Sequence, residues 1–443
     1  MQLVRHLRIG ITDYGLLGRL CLTYYLVYFM VVIKNKLVNS MIKETFSLQN
    51  PWRTGQKMPF DLIKRAALDI VEKNLSSKKM LGLIGSRQVG KSSLLYLTIA
   101  HLLKGGVEAE RVYYFNLDDL KLHELFQHPS EIIQFIKPGQ TRKYLLVDEI
   151  QRLANPGLFL KEIHDLGLNL KIIYSGSSQL EIKSKLKEHL VGRARQLEIQ
   201  RLSFVEYLRF NDPMTRDQAL SEMLIYGSYP EVALERGSIE KQLLIKDIYQ
   251  GYVEKDLVDF LRIDNVEAFN RLLVLLSNQI GCLLNIDSLS KALRVSRNVV
   301  EKYLFVLENT FIIKRIYPFF KNYKKEITKT PKVYFMDLGL RNYVINNFNP
   351  LPMRNDQGNL FENFYLLELL AADPYGQRKI NHWRTTNQTE IDFLISRGNA
   401  VEAIEVKWEK TTPPKSFKTL KSYYPEISCR VASKSDFLQS NKI

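Results

Sequence analysis

The run Gly85-Ser86-Arg87-Gln88-Val89-Gly90-Lys91-Ser92-Ser93 contains a complete G-x-x-x-x-G-K-S signature. Two glycines let backbone N–H groups turn inward around a polyphosphate, and the positive end of a following helix adds to that field. Lys91 would reach the β- and γ-phosphates, and the hydroxyl of Ser92 would ligate Mg²⁺. An apolar run (Leu81, Leu83, Ile84) precedes the signature, and a helical pattern from Ser93 to Ala100 follows it. A motif that sits between a strand and a helix is far more specific than the motif alone.

A second chemical group is Lys143-Tyr-Leu-Leu-Val-Asp-Glu-Ile-Gln151, an apolar strand that ends in Asp148 and Glu149. Asp148 would hold Mg²⁺ through its water shell, and Glu149 would polarise the attacking water as general base. Leu170 to Ser178 reads as another strand that runs into small polar residues. Ser177, or failing it Ser178, would hydrogen-bond the γ-phosphate or the water. Gly192-Arg-Ala-Arg195 and Arg201 form a basic patch. From it Arg193 is the candidate to stabilise transition-state charge, in cis or from a neighbouring subunit.

A third group lies near the C-terminus. Asp392 sits within the strand pattern Glu390–Ile395, while Glu405 and Lys407 sit in Val401–Lys407. Period-two geometry puts Glu405 and Lys407 on one face. With Asp392 on a neighbouring strand and Glu362 on the helical stretch Leu360–Leu370, they would hold Mg²⁺ and orient a water for phosphodiester hydrolysis. The bland alternative for Glu405 and Lys407 is a cross-strand ion pair.

These groups need scaffolds. Strands at Leu81–Ile84, Val112–Asp118, Lys143–Gln151 and Leu170–Ser178 alternate with helical stretches, which predicts a parallel sheet with helices on both faces. Phosphate would then sit at its carboxyl edge. Phe60 to Leu75 has helical spacing ahead of the first strand. Helices are expected over Phe204–Phe210, Ala219–Tyr226, Ile239–Leu261 and Ala268–Ile280, as a lid broken at Gly227-Ser-Tyr-Pro230. Asp287–Leu293, a turn, and Ser296–Leu307 read as helix-turn-helix, with Ser296 as N-cap. Phe311–Ile316 and Lys332–Phe335 would be wing strands around a loop bearing Lys321, Lys324, Lys325 and Lys329. Arg297, Asn298 and Lys302 then suit a DNA groove and its phosphates; a packing or protein-contact role is the alternative.

With 443 residues the chain is too long for one core. The formal net charge of +16 favours a polyanionic partner, a nucleic acid or an anionic membrane surface. Three cysteines without C-x-x-C spacing give no disulfide framework or zinc site. Leu20 to Ile33 is apolar but shorter than the ~20 residues of a membrane span. Residues 1–40 are expected to be upstream sequence outside the working protein, with a membrane-associating helix as rival; the expected location is cytoplasmic, without integral membrane insertion.

The lead-in Asn50-Pro-Trp52, the Gly85–Ser92 loop, Val147-Asp-Glu-Ile-Gln151, Tyr174-Ser-Gly-Ser-Ser178, Gly192-Arg193, Tyr226-Gly-Ser-Tyr-Pro-Glu231 and Tyr334-Phe-Met-Asp-Leu-Gly-Leu340 occur in an order and spacing that resemble the prokaryotic AAA-type P-loop ATPases. These carry a winged helix and a C-terminal domain of unknown function, itself similar to PD-(D/E)XK nucleases. The resemblance spans residues 45–410. It implies an α/β fold: a P-loop parallel-sheet ATPase core (41–203), a helical lid (204–280), a winged helix (281–350) and a C-terminal α/β restriction-endonuclease-like domain (351–443). It maps the nucleotide roles onto Lys91, Ser92, Asp148 and Glu149, and the nuclease motif onto Asp392, Glu405 and Lys407, with Glu362 upstream. Arg53 stands where such proteins often have a second tryptophan.

The expected cofactors are ATP and Mg²⁺. An enzyme acting on DNA, self-associating as a homo-oligomer, is one reading. An ATP-controlled switch that binds a protein partner, with an inactive C-terminal domain, is the other. A transporter ATPase is disfavoured, since no Leu-Ser-Gly-Gly-Gln signature is present.

Overall fold

The computed structural model describes residues 40–58, 63–176, 190–211, 214–251, 265–320, 330–409 and 412–440. Ser177, Ser178 and the lysine-bearing loop at 321–329 lie outside the described residues. Residues 40–49 are helical and lead to Asn50. The buried Asn50 amide donates to Tyr114 O at 2.8 Å and accepts from Tyr114 N at 2.9 Å. Asn50 thus satisfies the Tyr114 groups on the open edge of the outermost strand, and Gln49 and Arg53 bond Asn116 and Val112 on the same edge.

That strand belongs to a five-stranded, all-parallel sheet. Its members are β1 (Met80–Ile84), β2 (Val112–Asn116), β3 (Lys143–Asp148), β4 (Leu170–Gly176) and β5 (Ala194–Glu198), in the order β2-β3-β4-β1-β5. Helices α1 (Ala66–Leu75), α2 (Lys91–Lys104), α3 (Pro129–Ile136) and α4 (Pro156–Asp165) accompany it. Both faces are covered, so the inner strands read as continuous apolar runs. Along β1 the period of two is visible in the packing. Leu81 and Leu83 join a core with α2, and Met80 and Ile84 join another containing Ile132 of α3 and Ile163 of α4. β5 is a strand where the sequence showed only a basic patch. It is an edge strand whose residues Ala-Arg-Gln-Leu-Glu bury one leucine, so no apolar run announces it.

The helix expected from Phe60 begins instead at Ala66. Arg65 is extended and buried, and Glu206 accepts both the Arg65 Nε–H at 2.8 Å and the Ala66 N–H at 2.9 Å. The carboxylate caps the helix at that point. α5 (Phe204–Phe210), α6 (Arg216–Tyr226), α7 (Pro230–Leu234) and α8 (Ser238–Ile248) form a helical layer beside the sheet. Of the single helix expected over Ile239–Leu261, α8 covers the part up to Ile248 and a wider turn occupies 249–251; the rest lies outside the described residues.

α9 (Val266–Ser277), α10 (Ile286–Leu293) and α11 (Arg297–Asn309) follow, then β6 (Ile313–Ile316) and β7 (Lys332–Phe335), paired antiparallel. Ser296 caps α11 through the Val299 N–H, and Arg294 turns the chain at φ +54°. After α12 (Leu338–Val344), α13 (Gln357–Ala371) packs on a four-stranded sheet of β8 (Lys379–Arg384), β9 (Glu390–Arg397), β10 (Ala400–Lys407) and β11 (Ser428–Ser433), in the order β11-β10-β9-β8. α14 (Lys415–Tyr423) crosses between β10 and β11, which are parallel, and α15 (Lys434–Gln439) ends the fold.

One hydrophobic core is continuous from Leu83 of β1 through Leu224 of α6 and Leu304 of α11 to Phe361 of α13. The parts therefore share side-chain contacts rather than hanging on linkers. Among the described residues no helix is long and apolar enough to cross a membrane.

Candidate functional site

β1 delivers the chain into the loop 85–90, and α2 starts at Lys91. Gly90 has φ +89°, and a Cβ there would come within 3.0 Å of Arg65 Nη1. Glycine meets both the conformation and the approach. Arg65 donates to Val89 O at 2.7 Å and Gln200 O at 2.9 Å, so it ties the loop to β5's exit and, through Glu206, to α5. Lys91 is buried, and its ammonium donates to Gly85 O at 3.0 Å and Ser86 O at 2.6 Å. Burial pulls it down to about 8, against the attraction of Glu149 and Asp148. It is held by the loop's own carbonyls at the place where phosphate oxygens would outcompete them.

A cavity of about 820 Å³ opens here. Its lining includes the polar residues Arg87, Gln88, Lys91, Ser92, Ser93 and Glu149 and the apolar residues Ile63, Phe210, Pro230, Leu234 and Ile248. The polar residues include donors for phosphates, and the apolar ones have the character that suits a base.

Asp148 is fully buried at the end of β3. Tyr114 donates its hydroxyl to Oδ2 at 3.0 Å, and Ser175 donates to Oδ1. The Ser175 oxygen also accepts the Glu149 N–H at 3.0 Å. Glu149 is in the left-handed region at φ +57°, and Gln151 donates to its carboxylate. Burial pushes the Glu149 carboxyl above its ordinary value, with Lys91 opposing. Sequence reasoning missed Tyr114 and Ser175. The β3–β4 register pairs Val147 with Tyr174, which sets Ser175 beside Asp148; that register was the missing signal.

Arg193 lies elsewhere. Met80 N donates to Arg193 O, and Met80 pairs with Ala194, which places Arg193 at the amino edge of the sheet. The phosphate loop is at the carboxyl edge, roughly 16 Å away at ~3.3 Å per strand residue. Arg193 instead forms a two-pronged pair with Asp165 at 2.6 and 2.9 Å. In cis it is misplaced for the γ-phosphate. Among the described residues, the arginines that line the cavity are Arg65, Arg87 and Arg152.

The four C-terminal candidates do converge. The β9–β10 register sets Ile404 opposite Phe393 and brings Asp392 beside the Glu405 region. Asp392 Oδ2 accepts the Val406 N–H at 2.8 Å, and Lys407 Nζ is 2.8 Å from Glu405 Oε1. Glu362 of α13 joins them, and burial pushes it up to about 7. Burial also raises the carboxyls of Asp392 and Glu405. Two unforeseen residues come from β7. Tyr334 donates its hydroxyl to Glu362 at 2.6 Å. Lys332 Nζ lies 3.3 Å from Glu362 and 3.6 Å from Asp392, and also pairs with Glu390. Burial works against the Lys332 ammonium, but Glu362, Asp392 and Glu390 together hold it above the ordinary lysine value. Among the described residues no group of three or more His, Cys, Asp or Glu is placed to hold a metal ion. Arg297, Asn298 and Lys302 are exposed on α11, and Arg297 pairs with Asp287 at 2.8 Å.

Comparison with known proteins agrees with the core. Residues 77–208 match the family described as an AAA domain, while 217–351 and 357–441 match two separate domains of unknown function. An uncharacterized protein of Haemophilus influenzae is 25% identical over 73% of this chain and 81% of its own length. One from Methanocaldococcus jannaschii is 25% identical over 81% of this chain and 80% of its own. The Walker-type ATPase of Pyrococcus abyssi is a structural neighbour at 14% identity and a TM-score of 0.46, covering 64% of this chain and 96% of that one. Residues 77–208 are thus similar to an AAA domain, and the five-stranded parallel sheet lies in that matched stretch.

Proposed function

We propose that the chain binds ATP with Mg²⁺ in the cavity at the carboxyl edge of the parallel sheet and hydrolyses it there. The observation that carries this is the convergence of Lys91, Ser92 and Glu149 on one cavity, with Asp148 buried directly behind. The loop 85–90 would wrap the phosphates, and Lys91 would exchange its carbonyl partners for phosphate oxygens. The donor set suits Mg²⁺: a hydroxyl at Ser92 and a carboxylate at Asp148 oriented by Tyr114 and Ser175. Bound Mg²⁺ would supply charge neutralisation on the β- and γ-phosphates. Glu149, held out of the strand direction by its left-handed backbone, would take a proton from the attacking water. A serine at 177 or 178 is the candidate to hold that water.

The domain division proposed is a core over 41–203, a lid over 204–280, a winged helix over 281–350 and a nuclease-like unit over 351–443. DNA is the proposed partner. Support comes from the net charge of +16 and from Arg297, Asn298 and Lys302 exposed on α11. The second reading, a switch with a catalytically idle C-terminal unit, is favoured by Lys332 lodged among Glu362, Glu390 and Asp392.

The two readings part in one assay. ATP turnover of the full chain is measured with and without duplex DNA, beside Arg297→Glu/Lys302→Glu. Stimulation by DNA that the double variant loses supports action on DNA. Turnover indifferent to DNA, with no DNA retained in a binding assay at low salt, removes the DNA reading and leaves the switch.

A further inference from the structure

Lys332 is 2% exposed, and its position is fixed from both sides. β7 pairs with β6, with Lys332 opposite Ile316. On its other side Leu284 N donates to Pro331 O at 2.9 Å and Gly281 N donates to Val333 O at 2.8 Å. Asn363, fully buried and next to Glu362 on α13, brackets the end of the strand. Its Oδ1 accepts the Phe335 N–H at 2.8 Å, and its Nδ2 donates to Phe335 O at 2.7 Å. A slip of one residue would break these bonds and point Lys332 and Tyr334 away from α13. The contact of the ammonium with the acidic cluster is therefore set by the backbone register, not by a side chain free to wander.

The chemistry of the site matches this occupant. An ammonium has three N–H donors, and three carboxylates surround it: Glu362, Glu390 and Asp392. A buried charge persists only when paired, and here it is. A divalent ion needs several oxygens on one centre at about 2.0–2.6 Å, and among the described residues no group of three or more His, Cys, Asp or Glu offers that. The cluster nonetheless keeps one acceptor that the lysine does not use. Glu405 Oε2 is buried and accepts no hydrogen bond from the described residues, while the other oxygen pairs with Lys407.

We propose that Lys332 is the resident cation of the C-terminal acidic cluster, and that it excludes divalent metal from Glu362, Asp392 and Glu405 while β7 keeps its register. The cluster then acts as an ionic closure between the β6–β7 unit and the C-terminal sheet, with the spare Glu405 oxygen as the acceptor a larger set of ligands would use. This stands whether or not the core hydrolyses ATP.

The test counts Mn²⁺ equivalents by electron paramagnetic resonance on the full chain, stripped of metal and nucleotide. Wild type and Asp392→Asn should bind the same number, and so should Glu405→Gln. Lys332→Met should gain one equivalent that Lys332→Met/Asp392→Asn lacks. An equivalent present in wild type and lost in Asp392→Asn or Glu405→Gln overturns the proposal. So does a folded Lys332→Met that gains none. If Lys332→Met does not fold, the comparison of wild type with the two carboxylate variants decides by itself.

Discussion

Ser175→Ala isolates the device that aims the two carboxylates proposed for catalysis. The serine is fully buried, and its one oxygen serves two partners: it donates to Asp148 and accepts the Glu149 N–H at 3.0 Å. A hydrogen bond to a charged group contributes about 1.5–3 kcal/mol, and an orphaned buried N–H costs about 1–3 kcal/mol. The two losses share a site and do not add fully. A net loss of roughly 2–4 kcal/mol in unfolding free energy is expected from denaturant titration. The functional effect should be of similar size. Glu149 occupies a left-handed conformation that costs a side-chain-bearing residue ~1–2 kcal/mol, and the N–H bond to Ser175 helps to hold it there. Released, its carboxylate shifts by the order of an ångström, and turnover should fall by roughly 100-fold. ATP affinity, set by the untouched loop 85–90, should stay within about threefold. Wild-type turnover and an unchanged denaturation midpoint in Ser175→Ala would refute the assignment.

Two further outcomes are expected. Glu368 of α13 is buried and accepts the Phe204 N–H at 2.8 Å, and burial pushes its carboxyl up to about 8. The folded state thus keeps a proton that the unfolded state releases from about pH 4.5 upward, so this group's stability is complete at low pH and is lost between about 4.5 and 8. Glu368→Gln keeps an acceptor for Phe204 and should remove that pH dependence, with a gain over wild type of roughly 5 kcal/mol at pH 9; parallel stability–pH curves for the two proteins would contradict it. Arg193→Ala breaks an exposed pair with Asp165 on the far edge of the sheet, and turnover should stay within about twofold; a loss of 100-fold would return Arg193 to the chemistry by way of a neighbouring subunit.

How much was legible depended on how local each constraint was. The phosphate loop and the Asp148–Glu149 pair are contiguous, because a βα turn and a strand end must each carry their chemistry in one stretch. α5 was read to its residue limits, and in the structure Ser203 and Glu206 form a capping box at its start. What failed needed tertiary knowledge. β5 has an edge strand's mixed composition. The start of α1 is set by Glu206, far along the chain. Naming Ser175 as the partner of Asp148 requires the β3–β4 register. The C-terminal four, Glu362, Asp392, Glu405 and Lys407, were nameable from strand period and motif, and the structure brings them together. Lys332 was visible only as a strand residue, because nothing in sequence tells which sheet its side chain will meet.

The measurement closest to the central claim is ATP hydrolysis by the full chain with Mg²⁺, beside Lys91→Ala. The structure predicts turnover in wild type that the variant loses, together with weaker nucleotide binding, since Lys91 is the buried cation of the loop. Turnover that survives Lys91→Ala unchanged would contradict the account and place the chemistry outside this cavity.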